Sequence, residues 1–321
     1  MRVFLQALGC RLNEAERERW TRDCRAHGFQ LAADAAQADL VVINTCAVTA
    51  ESVRKSRQVI RRAQRANPLA KLVVSGCYAS LASADIGAEL GVDLVVANQE
   101  KDRLIPLMAK RLDLPVMPAI ATQPGENALL GHGRHRAFVK VQDGCRYRCA
   151  FCIVTKARGE ECSRPVAEII DEINALHADG VQEAVLAGVH LGGYGSDGGG
   201  SLSELVRAVL AGTSIPRLRL GSLEPWELAP HFWSLFEDPR LLPHLHLPVQ
   251  SGADSVLRRM SRRCRSDEFR GLVAQARRAV RGMNITTDII VGFPGETDAE
   301  WQETLGFAAE MAFGHIHIFA Y

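Results

Sequence analysis

Leu40-Val41-Val42-Ile43-Asn44-Thr45-Cys46 decides the first half of the fold: an apolar run that closes on a cysteine, with a helix over Glu51 to Arg65 behind it. The same unit recurs on both sides. Val3-Phe4-Leu5-Gln6-Ala7 leads through Leu8-Gly9 to Cys10, and Asn13 opens a helix with Glu14 and Glu16 in its first turn. Lys71-Leu72-Val73-Val74-Ser75 leads through Gly76 to Cys77, and Leu94-Val95-Val96 reads as a further strand. Short apolar strands alternating with helices predict a parallel sheet covered on both faces. Residues 1–113 therefore read as an α/β, Rossmann-like domain. In such a sheet the C-terminal strand ends converge on a ligand crevice. Cys10, Cys46 and Cys77 are thus predicted to meet although they lie far apart in sequence. One cysteine at a strand end is ordinary core. Three at equivalent places favour a shared metal group.

Between residues 114 and 133, Pro115, Pro118, Pro124, Gly125, Gly131 and Gly133 break every periodicity, so this stretch reads as a linker. Residues 134–321 then carry six strand candidates: Phe138–Val141, Glu183–Ala187, Arg217–Leu220, His244–Pro248, Asn284–Val291 and His315–Phe319. Helical patterns fall between them, at Pro165–Asp179, Ser201–Ala211, Asp267–Arg281 and Glu300–Glu310. Consecutive β/α units predict a TIM-type partial (β/α)6 barrel with its site at the strands' C-terminal ends.

The sharpest motif is Cys145-Arg146-Tyr147-Arg148-Cys149-Ala150-Phe151-Cys152, in the loop after the first strand of that barrel. Three thiolates so closely spaced suit one face of a cube-shaped iron–sulfur cluster, leaving one iron open to chelate a small molecule. Phe151 is placed to pack against an adenine. A zinc knuckle is the alternative, and it needs a fourth ligand such as His132, His135 or Cys162. Gly188, His190, Glu224, Gln250, Ser251 and Asp288 stand at or just beyond strand ends, where polar groups orient a nucleoside cofactor. Cys24, Cys162 and Cys264 show no partner spacing and read as structural.

Lysine plus arginine (38) nearly balance aspartate plus glutamate (37), which argues against a surface that is basic all over. Local stripes remain. Arg54, Arg57, Arg61 and Arg65 share a helix face behind Cys46, and Arg262 and Arg263 belong to a second basic run. Such stripes suit phosphate contacts to a nucleic acid. No apolar run approaches the roughly 18 residues of a membrane span, so no membrane partner is expected. The N-terminus lacks a signal-peptide pattern, which makes the cytoplasm the expected address.

Leu8-Gly9-Cys10, Asn44-Thr45-Cys46, Gly76-Cys77-Tyr78, Gln142-Asp143-Gly144-Cys145, Ala157-Arg158-Gly159, Ser163-Arg164-Pro165, Pro248-Val249-Gln250-Ser251-Gly252 and Thr287–Thr297 run in order along nearly the whole chain. Together they resemble the methylthiotransferase family of radical S-adenosylmethionine enzymes. Gly188-Val189-His190-Leu191-Gly192 is similar to the branch that modifies N6-threonylcarbamoyladenosine beside the tRNA anticodon. Other branches act on isopentenyladenosine in tRNA or on a ribosomal-protein aspartate.

The resemblance implies that Cys145, Cys149 and Cys152 hold a [4Fe-4S] cluster that cleaves S-adenosylmethionine. It implies that Cys10, Cys46 and Cys77 hold an auxiliary [4Fe-4S] cluster tied to the inserted sulfur. It further implies methylthio transfer to carbon 2 of the adenine, a tRNA partner, and an electron donor such as flavodoxin or ferredoxin. The family normally continues into a TRAM-type RNA-binding module, and this sequence stops at Tyr321, before it. A zinc-stabilised RNA-binding protein is the non-enzymatic alternative.

Overall fold

The computed structural model describes residues 1–114, 135–228 and 230–321. It divides into two compact units. The first takes Met1–Lys140 and Ile153–Glu160, the second Val141–Cys152 and Glu161–Tyr321. Apart from Leu114, the predicted linker lies outside the described residues.

In the first unit, strands β1 (Arg2–Ala7), β2 (Gln30–Leu31), β3 (Leu40–Thr45), β4 (Lys71–Gly76) and β5 (Leu94–Val96) form one sheet in the order β2-β1-β3-β4-β5. All its pairings are parallel. Every residue of β3 is buried, as a central strand covered on both faces requires. Helices α1 (Arg11–Ala26) and α5 (Leu104–Arg111) cover one face, where Trp20, Leu104 and Met108 pack on Leu40, Val42 and Val73. Helices α2 (Ala50–Ala66), α3 (Cys77–Leu81) and α4 (Ser83–Leu90) cover the other, with Ile60, Ala63, Ala79 and Ile86 on Val41, Ile43 and Val74. The alternation of residues 40 to 43 between the two cores is the period-2 pattern of a strand. Thr49 starts α2 by accepting a hydrogen bond from the Ser52 N–H at 3.1 Å.

Register brings the C-terminal ends level: Ala7 pairs with Asn44, and Asn44 with Ser75. The strand order reverses between β1 and β3, the place where such sheets hold ligands. Strand β6 (Arg136–Lys140) and helix α6 (Val154–Arg158) join this unit rather than the second. The reason is buried charge on α1: the Phe138 N–H donates to the Glu18 carboxylate at 3.1 Å, and Arg158 pairs with Glu16 at 3.1 Å.

The six strands expected of the partial barrel are all present. Beyond β6 they are β9 (Glu183–Ala187), β10 (Arg217–Leu220), β11 (His244–His246), β12 (Asn284–Val291) and β13 (His315–Ala320). A short antiparallel pair, β7 (Gln142–Asp143) with β8 (Cys162–Ser163), lies between. β9 pairs with β10, and β11-β12-β13 form a parallel run. Parallel bridges Leu218↔Leu241 and Ser222↔His246 link the two sets. β11 ends two residues before the predicted Pro248: the Val249 N–H turns to the Thr287 side chain at 3.0 Å, and Gln250, at φ +78°, rejoins β12 through a bridge to Ile289. Helices α7 (Val166–Ala178), α8 (Leu202–Gly212), α9 (Asp254–Arg259), α10 (Ser266–Ala279) and α11 (Asp298–Met311) alternate with the strands. A reciprocal cap between Thr297 and Glu300 opens α11. Among the described residues no helix is long and apolar enough to cross a membrane.

Candidate functional site

In the first unit each cysteine of interest stands just past the C-terminal end of a strand: Cys10 after β1, Cys46 after β3 and Cys77 after β4. Cys46 and Cys77 are buried and Cys10 is exposed. Gly9 sits at φ +91°, and a Cβ there would lie 2.5 Å from Cys46 Sγ. Glycine is therefore required for the Cys10 loop to approach Cys46. Gly76, at φ +99°, has no room either: a Cβ would meet the Thr45 carbonyl at 2.3 Å. Asn13 pins the two loops. Its Nδ2 donates to the carbonyls of Leu8 (2.6 Å) and Thr45 (3.1 Å), and its Oδ1 accepts from Arg158 at 2.7 Å. Asn98 donates to Cys77 Sγ at 3.8 Å and to the Ala157 carbonyl at 2.6 Å.

Beneath these loops lies a buried charge network. Glu16, 2% exposed, meets Lys101 (0%), Arg158 and, at 3.7 Å, Lys140. Asn44 also donates to its Oε2 at 2.8 Å. Desolvation of the sulfur raises the Cys10 thiol, with Glu16 adding to it, and outweighs Arg158, the member of this network that favours a thiolate there. The sequence reading missed this network. Arg158 stands inside the quoted Ala157-Arg158-Gly159, and an arginine flanked by small residues was the available signal.

The second unit builds its candidate site around the loop from Cys145 to Cys152. Burial pushes the Cys145 thiol up to about 11, so it keeps its proton until a cation, a bound metal included, takes that proton's place. The Tyr147 N–H points at Cys145 Sγ at 3.4 Å, and the Arg262 guanidinium at Cys149 Sγ at 3.8 Å. Hydrogen bonds to sulfur of this kind accompany thiolate clusters and tune their potentials.

Arg262 is correspondingly turned inward. Its side chain is 2% exposed, paired with Glu224 at 2.8 Å and stacked 4.6 Å over the Trp226 ring. It therefore offers no surface for the phosphate contact expected of it. Arg263 stays exposed, over the Tyr147 ring at 4.7 Å.

His190 is buried between two carboxylates, Glu161 on Nδ1 and Glu227 on Nε2. Burial works against its protonation, but the two carboxylates outweigh it and raise its pKa above the ordinary value. Burial likewise opposes ionisation of Glu161 and Glu227. The hydrogen bonds they accept, from Ser196 and His190 and from His190 and Tyr147, hold both below the usual carboxylate range. Gly188 makes the arrangement possible. A Cβ there would lie 3.0 Å from Gln142 Oε1, the atom that accepts the His190 N–H at 2.8 Å. Arg146 bridges Glu161 and Glu227 from the cysteine loop at 3.2 and 3.0 Å. Glu161, Glu227, Tyr147 and Trp226 are additions to the sequence reading, which had only His190 and Glu224 here.

The remaining expected residues fall elsewhere. Phe151 packs against the cluster of Val256, Met260, Ile290 and Phe293. Ser251 is fully buried and shares a hydrogen bond with Thr304 at 3.0 Å, so it faces the helix layer. Gln250 contributes backbone, its N–H donating to the Asp288 carbonyl at 2.9 Å. Asp288 joins two histidines described below. On α2, Arg54, Arg61 and Arg65 are exposed and Arg57 half-buried, opposite the buried Ser56, Ile60 and Ala63. His135 is exposed, and His132 lies outside the described residues. Burial raises the thiols of Cys24 and Cys264 to about 12, in keeping with inert packing.

Residues 2–97 match the family described as uncharacterized protein family UPF0004, and residues 139–308 match the Radical SAM superfamily. The chain is 35% identical to the threonylcarbamoyladenosine tRNA methylthiotransferase MtaB of Bacillus subtilis, over 99% of its own length and 73% of the relative's. The Thermotoga maritima protein of that name is also 35% identical, with 99% and 74% covered. The tRNA-2-methylthio-N(6)-dimethylallyladenosine synthase of Cereibacter sphaeroides is 36% identical, with 100% and 76% covered. Among solved structures, the radical S-adenosylmethionine methyltransferase TsrM from Kitasatospora setae, with cobalamin and a [4Fe-4S] cluster bound, superposes with a TM-score of 0.73 at 16% identity. That likeness covers 99% of this chain and 74% of TsrM, and it concerns the fold. With both domain families in order and about a third of residues shared along almost its entire length, the chain belongs to the methylthiotransferase family of radical S-adenosylmethionine enzymes.

Proposed function

We propose that this enzyme adds a methylthio group to carbon 2 of N6-threonylcarbamoyladenosine next to the tRNA anticodon. The observation that carries the reading is the pair of separate cysteine trios, each with an N–H donor aimed at a sulfur. Cys145, Cys149 and Cys152 would hold one [4Fe-4S] cluster and Cys10, Cys46 and Cys77 the other. These clusters and S-adenosylmethionine supply the radical and the sulfur that no side chain can bring to an unactivated C–H bond.

The protein's own residues do the positioning. Gly9 and Gly76 let two loops close on a bulky group, while Asn13 ties those loops together. Arg262 and Asn98 donate to Cys149 and Cys77, the thiolates that would hold the clusters. His190, Glu161, Glu227 and Arg146 fix the loop that carries Cys145. The exposed arginines of α2 offer sequence-independent contacts to tRNA phosphates.

The choice of modified adenosine rests on Gly188-Val189-His190-Leu191-Gly192, since the relatives' names divide between two adenosine substrates at nearly equal identity. Anaerobically reconstituted protein, S-adenosylmethionine and a reductant should be incubated with tRNAs carrying either modification, and separately with ribosomal protein. Mass spectrometry of the nucleosides should show the methylthio increment on threonylcarbamoyladenosine. The increment on isopentenyladenosine alone, or on a ribosomal-protein aspartate, would overturn the reading.

A further inference from the structure

Three neighbouring parallel strands of the second unit display a group that the methylthio reading does not use. Register pairs His246 with Thr286 and Asp288 with His317, so His246, Thr286, Asp288 and His317 lie on one sheet face. There, His246 Nε2 is 3.2 Å and His317 Nδ1 3.1 Å from the same oxygen, Asp288 Oδ1. All three ligand atoms fall within 4.8 Å of one another.

We propose that His246, Asp288 and His317 form a binding site for a divalent first-row transition ion, distinct from both cysteine trios. Two imidazoles and one carboxylate are a recurrent donor set for such ions, with further positions left to water. Edges of 3.1 and 3.2 Å match adjacent ligands around an ion held at roughly 2.1 Å. The outer contacts agree. Thr286 Oγ1 lies 2.9 Å from His246 Nδ1, and a proton on that nitrogen leaves Nε2 free to bind metal. Two ligands are held firmly, since the His246 side chain is 7% and the Asp288 side chain 20% exposed. The third is open to solvent, His317 being 43% exposed, and it provides the route of entry. Without an ion the same atoms form an ordinary hydrogen-bonded chain, in which Asp288 accepts from both rings.

The test is a zinc titration of the anaerobically reconstituted, cluster-loaded chain against a fluorescent zinc chelator. Asp288→Asn and His317→Gln are titrated in parallel. Both changes keep hydrogen-bonding capacity, and His317 lies half in solvent, so folding is checked by melting and cluster integrity by iron content. The expected result is one zinc per chain, with affinity lowered at least 100-fold in each variant and iron content unchanged. Zinc that binds equally well to the parent and both variants, or that does not bind the parent, overturns the proposal. So does zinc uptake that disappears only on Cys162→Ala, since the exposed thiol is then the ligand.

Discussion

The two cysteine pockets are built in opposite ways. In the first unit the three cysteines come from loops far apart in sequence, which leave the level ends of β1, β3 and β4. Its supports are deep: Glu16, Lys101, Lys140 and Arg158 are each no more than 6% exposed. In the second unit one short loop supplies all three cysteines, braced by the buried Arg262 and His190 and by Arg146, which is 48% exposed. A site assembled by topology rests on a buried ion network that ties several loops together. A site assembled by spacing needs only its one loop held.

That contrast is broken most directly at Glu16. Glu16→Leu takes the carboxylate from the buried Lys101 and Arg158, while Lys140 keeps Asp102 at 3.0 Å, and loss of one partner from a buried ion pair typically costs about 3–5 kcal/mol. We expect a loss of that size in urea unfolding, together with loss of iron from the first pocket. A change under about 1 kcal/mol would mean that the network does not hold the pocket.

Glu18 tests the same buried layer by pH. Burial raises its pKa to about 7, so the folded protein takes up a proton that the unfolded chain holds only below roughly 4.5. With the folded value raised, its stabilising contribution is full below that lower value and is lost as pH climbs through about 7. Glu18→Gln should therefore match the parent at pH 4 and exceed it at pH 8, by up to about 3 kcal/mol. Parallel stability–pH curves for the two proteins would contradict this.

Arg262 and Asn98 sharpen the comparison with a smaller effect. Arg262 brings a positive donor to Cys149, Asn98 a neutral one to Cys77, and charge-assisted hydrogen bonds are the stronger. In potentiometric titrations, Arg262→Gln should move the second unit's cluster to a more negative potential. Asn98→Ala should move the first unit's cluster less, with iron content kept in both. Equal shifts would show that charge at the sulfur is not what separates the pockets.

The same contrast explains what could be read from the sequence. The spacing of Cys145, Cys149 and Cys152 is local and legible at once. Cys10, Cys46 and Cys77 can be grouped from the sequence only because each ends the same strand-and-loop unit. All six barrel strands were visible as apolar runs, although β11 proved shorter, since nothing local announces that the Val249 N–H leaves the ladder for the Thr287 side chain. The supporting charges were not legible. Glu16 looks like a helix first-turn acid and Arg262 like one of several surface arginines, and only tertiary packing turns them inward. Ser251 makes the related point that strand-end position does not fix which face a side chain takes, since it meets Thr304.

The most direct test is the iron and sulfide content of anaerobically reconstituted protein. It should be measured beside a Cys10→Ala/Cys46→Ala/Cys77→Ala variant and a Cys145→Ala/Cys149→Ala/Cys152→Ala variant. Two independent pockets require about eight irons in the parent and about four in each variant. Four irons in the parent, or loss of all iron from either variant, would contradict two separately built cluster sites.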